Sequence, residues 1–285
     1  ATDMKKSLVE SANTYYYKFS DQIGYAPIVK TARDFGLGDV SGIDVPGEKK
    51  GIIPDPDWKK KRTKTVWYRG DTILLSIGQG FTLVTPIQLA KAYTFLANKG
   101  WAYEPHVVSK IEDLQTGKIE IVSTKKTVLE DYPESYYDII NDALIATVDQ
   151  NNGTTRIMRN PYVKVAAKSG SAQNPHSKLT HAWVAGYFPA DKEPEVVFVC
   201  LLEGAGGGGV MAGGMAKRFL DKYLEVEKGI VPIQNTLHTE PKTTNSTIQT
   251  NGNQENENSG EGIGEERENE ERETGETNTS EGEQN

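Results

Sequence analysis

Four consecutive residues, Lys168-Ser169-Gly170-Ser171, set an ammonium, two hydroxyls and a position without a side chain next to one another. Such a group suits an anionic ligand: the ammonium and hydroxyls can hold a carboxylate. A carbonyl can also lie against the backbone edge where Gly170 removes steric bulk. A second polar group stands at Ser11-Ala12-Asn13, inside an otherwise helical passage. Ser11 or Asn13 there either caps the helix that follows or presents a hydroxyl and a carboxamide into a cleft. A third pattern, Ser123-Thr124-Lys125-Lys126, spaces a serine and a lysine three apart in a polar run. Other groups fit known chemistries less well. The turn Ile77-Gly78-Gln79-Gly80 is not followed by the Gly-Lys-Ser/Thr of a phosphate loop. The histidines, His106, His176, His181 and His238, lack zinc-ligand spacing. Cys200 is the only cysteine; it sits in Val196-Val-Phe-Val-Cys-Leu-Leu202 and reads as a small buried hydrophobe. Neither a metal nor a cofactor is expected.

The elements that position these groups follow from periodicity. Val163, Val165 and Ala167 alternate with Lys164 and Ala166, so the focal group continues a half-buried strand. Thr180–Phe188 and Glu195–Leu202 read as two more strands, joined by short turns into an antiparallel meander. Met4–Phe19 reads as two helical stretches broken at Ser11-Ala12-Asn13. Pro27–Phe35 is a helix closed by Gly36 and Gly38. Residues 40–70 read as a loop-rich region and Asp71–Ser76 as a short extended segment. Thr85 caps a helix with Pro86 at its first position, running to Gly100. A hairpin is expected from His106–Glu112 and Lys118–Val122 around Gln115-Thr116-Gly117. Pro133–Asp149 is a helix with Ile139, Ile140, Ala143, Leu144, Ala146, Thr147 and Val148 facing inward. The glycine-rich turn Gly204–Gly209 leads to a last helix, Val210–Val226. Helices, then adjacent strands, then a closing helix make an α+β fold with helices packed on an antiparallel sheet.

Charge is divided unevenly over the 285 residues. From Glu240 to the end, 13 Glu stand against Lys242, Arg267 and Arg272, while the whole chain carries −8. The part before Glu240 is therefore close to neutral, and the acidity says little about what the folded part binds. Residues 237–285, rich in Glu, Asn, Thr, Gly and Ser, are expected to form a disordered acidic tail behind a folded region at 1–236. The basic run Lys59-Lys-Lys-Arg62 reads as a solvated loop, and no nucleic-acid partner is expected. No run is long and apolar enough to span a membrane. The chain opens in a helical passage without an initiating Met, so it is expected to be a fragment.

Taken in order, the motifs resemble the penicillin-binding transpeptidases. Ser11-Ala12-Asn13 is similar to their Ser-x-Asn element and Lys168-Ser169-Gly170 to their Lys-Ser/Thr-Gly element. Gly42-Ile-Asp-Val-Pro-Gly47, Trp67-Tyr-Arg-Gly-Asp-Thr72, Ile77-Gly-Gln-Gly80, Thr85-Pro-Ile-Gln-Leu-Ala90 and the passage Asn98-Lys-Gly100 to Pro105-His106-Val107 resemble the class B branch. They are most like its cell-elongation type, penicillin-binding protein 2. The likeness runs from Ala1 to about Val226. It implies the fold shared by these transpeptidases and the serine β-lactamases, here incomplete at its N-terminus. The reaction implied is acyl transfer on a D-alanyl-D-alanine stem peptide of peptidoglycan through a serine acyl-enzyme. Further implications are β-lactams as covalent inhibitors, a glycosyltransferase of the wall-elongation machinery as partner, and a catalytic domain outside the cytoplasmic membrane. A β-lactam sensor or inactive penicillin-recognising module is the alternative.

The resemblance also assigns roles. Ser11 relays a proton between the base and the leaving amine, and Asn13 hydrogen-bonds the donor peptide. Lys168 keeps the cleft positive and steers Ser11. Ser169 and Ser171 hold the terminal carboxylate along an edge kept open by Gly170, and the Ser171 N–H is one oxyanion donor. The family's nucleophile lies in a Ser-x-x-Lys element before Ser-x-Asn. Ser123 follows Ser-x-Asn and is not expected to serve. Alternation puts Ser169 and Ser171 on one face and Lys168 on the other. Lys168 then reaches the cleft only by bending around the strand's edge.

Overall fold

The computed structural model describes residues 2–174 and 178–230. The chain divides into two compact units, Ala1–Ile233 and Gln234–Asn285, and all described residues belong to the first. The expected acidic tail lies outside the described residues.

Eight helices and seven strands are present among the described residues. The centre is a three-stranded antiparallel sheet of β5 (Ala166–Ala172), β6 (His181–Phe188) and β7 (Val196–Leu202), in that spatial order. Both faces are covered. One face packs Ala167, Val184 and Phe198 against Leu220 and Leu224 of α8 (Met211–Lys228), with Val148 and Met158. The other packs Ala166 and Tyr187 against Leu144 of α7 (Glu134–Asp149) and Tyr93 and Leu96 of α6 (Pro86–Ala97). Each large apolar side chain buried there contributes about 1.5–3 kcal/mol. The sheet is therefore buried on both faces rather than one. Ala166 and Ala167, neighbours in β5, are both fully buried, and the strand begins at Ala166, not Val163. Alternation on a half-buried strand does not describe this core.

The N-terminal helices α1 (Met4–Val9) and α2 (Asn13–Ile23) meet at the expected break, and α1 packs on α7. α3 (Tyr25–Asp34) follows. α6 starts where Thr85 and Pro86 place it: Thr85 Oγ accepts from Gln88 N, and Gln88 Oε1 accepts from Thr85 N. Lys110–Glu112 (β2) and Ile119–Ile121 (β3) form a hairpin narrower than expected. A further pair, Trp101–Tyr103 (β1) with Lys126–Val128 (β4), lies beside it in sequence and was not legible as strands.

Several expectations fail for local reasons. Residues 40–70 contain a helix, α4 (Pro56–Thr63), which Asp55 caps by accepting from Trp58 N at 2.7 Å, with Pro56 in the first turn. The basic run is therefore helical, and Lys59 is buried and paired with Asp71 at 2.6 Å. Asp71–Ser76 is not extended but part of α5 (Arg69–Leu75), whose start is fixed by Asp71 accepting from Tyr68 N. Its short apolar run Ile73-Leu74-Leu75 has no period that separates helix from strand. Ile139 faces outward, 51% exposed, while the rest of the α7 stripe packs inward or at its margin.

Candidate active site

The break between α1 and α2 is held from several sides. Ser7 Oγ donates to Met4 O and lies 3.1 Å from Tyr16 Oη, which ties the two helices together. Thr154 N donates to Val9 O, Ala12 N to Ser7 O, and Asn152 Nδ2 to Glu10 Oε1. Within this clamp Ser11 adopts a left-handed conformation, φ 55°. For a residue with a Cβ that conformation costs about 1 kcal/mol or more. Neither Ser11 nor Asn13 is a cap: the N-cap of α2 is Ala12, and it makes no side-chain cap bond. The Ser11 hydroxyl instead accepts a hydrogen bond from Lys168 Nζ at 2.7 Å, across 157 positions of sequence. Asn13 is exposed at the first position of α2.

β5 is an edge strand, and its register with β6 sorts its residues. Ser169 and Ser171 share the α8 face with Ala167, whereas Lys168 and Gly170 share the α7 face with Ala166. Lys168 bends: its Nζ also donates to Ser169 O at 2.9 Å. Burial lowers the ammonium's pKa to about 8, so near neutrality it holds its proton only loosely. A Cβ on Gly170 would meet Trp183 Cβ at an ordinary 3.5 Å. Contacts within the described residues thus do not by themselves demand glycine there. On the opposite face, the turn before α8 closes against the strand. A Cβ on Gly208 would stand 2.0 Å from Gly170 O, and one on Gly209 2.4 Å from Thr154 O. Only glycine permits this approach. Gly208 N then donates to Ser171 Oγ at 3.1 Å, which leaves the hydroxyl hydrogen free to donate outward.

Backbone groups on one edge of a strand alternate. The edge of β5 that faces away from β6 presents Ala167, Ser169 and Ser171, with Gln173 just past the strand's end. Its carbonyls meet side-chain donors: Thr147 Oγ at Ala167 O, 2.5 Å; Lys168 Nζ at Ser169 O; and Gln79 Nε2 at Ser171 O, 3.1 Å. The Ser171 N–H points to the same edge. Ser11, Lys168 and the Ser171 N–H thus share one border of the sheet, with the Ser171 hydroxyl on its α8 side.

The profile of the penicillin binding protein transpeptidase domain matches residues 1–222. The chain belongs to this family. Among relatives in it, the peptidoglycan D,D-transpeptidase MrdA of Haemophilus influenzae is 35% identical over 260 aligned positions covering 82% of this chain. Solved structures also share the fold, among them two PBP2 proteins. The penicillin-binding protein PBP2 of Helicobacter pylori in complex with MreC matches 80% of this chain and 41% of its own, at 28% identity and TM-score 0.69. PBP2 of Pseudomonas aeruginosa in complex with WCK 5153 matches 84% and 50%, at 29% identity and TM-score 0.68. The chain spans 39% of the length of the H. influenzae relative. The α+β class and the elongation-type likeness expected from the motifs both hold.

Within the family fold, Ser123 lies in an exposed loop between β3 and β4, with Lys126 in β4. It stands in no helix. Among the described residues no three His, Cys, Asp or Glu side chains are placed to hold a metal ion, and no helix is long and apolar enough to cross a membrane. Cys200 is half-buried against the core, and desolvation pushes its thiol pKa up. Two contacts at the candidate site escaped the sequence: that of Gln79 with β5 and that of Gly208 with Ser171. Both come from segments already marked by glycine, but nothing local says which strand they meet.

Proposed function

We propose that this chain forms the Ser-x-Asn and Lys-Ser-Gly walls of a D,D-transpeptidase site that cross-links peptidoglycan stem peptides. The observation that carries the proposal is the 2.7 Å hydrogen bond from Lys168 Nζ to Ser11 Oγ. A lysine whose pKa is about 8 and which hydrogen-bonds a serine hydroxyl forms a short proton relay. Ser11 passes a proton between the general base and the leaving amine, and Lys168 keeps that hydroxyl oriented and the cleft positive. Asn13, two residues on, is the donor for the stem peptide's amide. The scissile carbonyl lies along the β5 edge beside Gly170, with its oxygen at the Ser171 N–H. Ser169 and Ser171 hydroxyls take the terminal carboxylate; the Gly208 N–H bond keeps Ser171 oriented as a donor. The nucleophilic serine and its base lysine belong to sequence outside this chain. The acyl-enzyme formed on that serine is resolved by an amine from a neighbouring stem, so one difficult step becomes two easier ones.

The same reading puts the domain on the outer side of the cytoplasmic membrane, anchored through sequence outside the described residues. It makes β-lactams covalent inhibitors. A glycosyltransferase of the wall-elongation machinery is the partner this reading favours. This reading assigns no nucleic-acid partner; Lys59, the first residue of the basic run, is buried in an ion pair with Asp71, while Lys60, Lys61 and Arg62 are exposed.

The test is labelling of the full-length protein with a fluorescent penicillin. Rapid formation of a stable adduct is expected. A folded protein that takes no label refutes the proposal. Steady turnover of penicillin indicates a β-lactamase, and a stable adduct without cross-linking of stem peptides indicates a sensor. The chain by itself is expected to take no label; an adduct on Ser123 would overturn the assignment of that serine.

A further inference from the structure

The turn Ile77-Gly78-Gln79-Gly80 plays no part in the roles assigned so far. It is nevertheless built to present one side chain. Gly78 and Gly80 both have positive φ, 69° and 71°, and a Cβ on Gly80 would press on Leu74 at 3.3 Å. Gln79, between them, reaches β5 across 92 residues of sequence. Its Nε2 donates to Ser171 O at 3.1 Å, and its Oε1 accepts from Gln173 N at 3.4 Å. A carboxamide carries the same donor and acceptor as a peptide group. One acceptor at residue i and one donor at residue i+2 are what a neighbouring parallel strand would engage. The side chain therefore stands in for one residue of an added strand on the open edge.

That edge is where the proposed donor peptide lies, and the inference rests on that reading. A peptide whose carbonyl oxygen sits at Ser171 N brings its own N–H groups to Ser171 O. The two other edge carbonyls are held differently: Thr147 is buried in the core, and Lys168 is itself part of the relay. Gln79 is half-buried and bonds only to the backbone of β5 there. We propose that Gln79 is a displaceable occupant of the β5 edge, a specificity-determining residue that ligands pairing with Ser171 O must replace. It discriminates between ligands that carry an amide N–H for that carbonyl and ligands that do not. The former recover the hydrogen bond they break; the latter leave Gln79 in place.

The experiment compares full-length wild type with Gln79→Ala and Gln79→Asn, whose shorter carboxamide cannot span both groups. Second-order acylation constants are measured for benzylpenicillin, which has an acylamino N–H, and for penicillanic acid, which has hydrogen in its place. Removing one competing hydrogen bond is expected to raise the benzylpenicillin constant relative to that of penicillanic acid by about three- to ten-fold in both variants. An unchanged ratio overturns the proposal, as does an equal fall in both constants, which marks Gln79 as a strut for the strand. Failure of both variants to fold has the same meaning. Wild type that is not acylated at all removes the transpeptidase reading and this inference together; an acylated wild type with an unchanged ratio removes this inference alone.

Discussion

Lys168→Met separates the cost of placing a lysine in this site from the work it does there. Desolvation holds the ammonium's pKa near 8 in the fold, against about 10.5 for an exposed lysine. The folded state thus binds its proton more weakly than the unfolded chain. Between pH 8 and 10.5 the unfolded state carries the extra proton, so stability rises with pH across that window. The shift of about 2.5 pH units corresponds to about 3 kcal/mol, present as destabilisation below pH 8 and gone above pH 10.5. Methionine keeps most of the volume and has no charge. Against it stands the loss of two hydrogen bonds, to Ser11 Oγ and Ser169 O, about 1 kcal/mol each. Net, the variant is expected to be about 1 kcal/mol more stable at pH 7 and about 2 kcal/mol less stable at pH 10.5. Urea unfolding of the complete transpeptidase domain at several pH values measures this. Parallel curves for wild type and variant from pH 7 to 10.5 would refute the argument, because they require an unperturbed lysine. Acylation by penicillin should fall sharply at every pH, so the variant trades function for stability.

Other expected outcomes follow from single contacts. Ser11→Ala removes the acceptor of Lys168 and should slow acylation about 10²–10⁴-fold while costing only about 1 kcal/mol of stability; a loss of acylation below ten-fold argues against a proton relay. Asp71→Ala leaves the Lys59 ammonium buried without its partner and strips the start of α5, so chemical denaturation should show a loss of about 3–5 kcal/mol. A loss under about 1 kcal/mol would mean that water reaches Lys59. Gly208→Ala forces a methyl group onto Gly170 O; the turn must lift from β5, at about 1–3 kcal/mol, and the Ser171 hydroxyl loses its donor. Acylation of that variant should fall even at temperatures where circular dichroism shows it folded, and undiminished acylation would count against a role for Ser171 orientation.

The sequence by itself determined the order of the main elements and the two polar groups that matter. Thr85-Pro86 starts a helix because its cap and first-turn signals act within four residues. The three strands and their meander are legible because short turns leave antiparallel pairing as the only economical connection. Local signals that conflict were harder to weigh: Asp55-Pro56 caps α4 as clearly as Thr85-Pro86 caps α6, yet proline and glycine around it suggested a loop. Tertiary structure alone decided the geometry by which the site is assembled. The family resemblance pairs Lys168 with Ser11, but nothing local to Ser11 indicates that its hydroxyl meets a lysine 157 positions away, and capping is a competing local account of it. Nor does the period of β5 place Lys168 with Ser171, since alternation sends them to opposite faces. The two meet because β5 is an edge strand and a four-carbon stem can fold over that edge to Ser169 O. Lys168-Ser169-Gly170-Ser171 therefore announces its chemistry in one dimension. Its geometry depends on what α7, the Gly208 turn and Gln79 leave open around it.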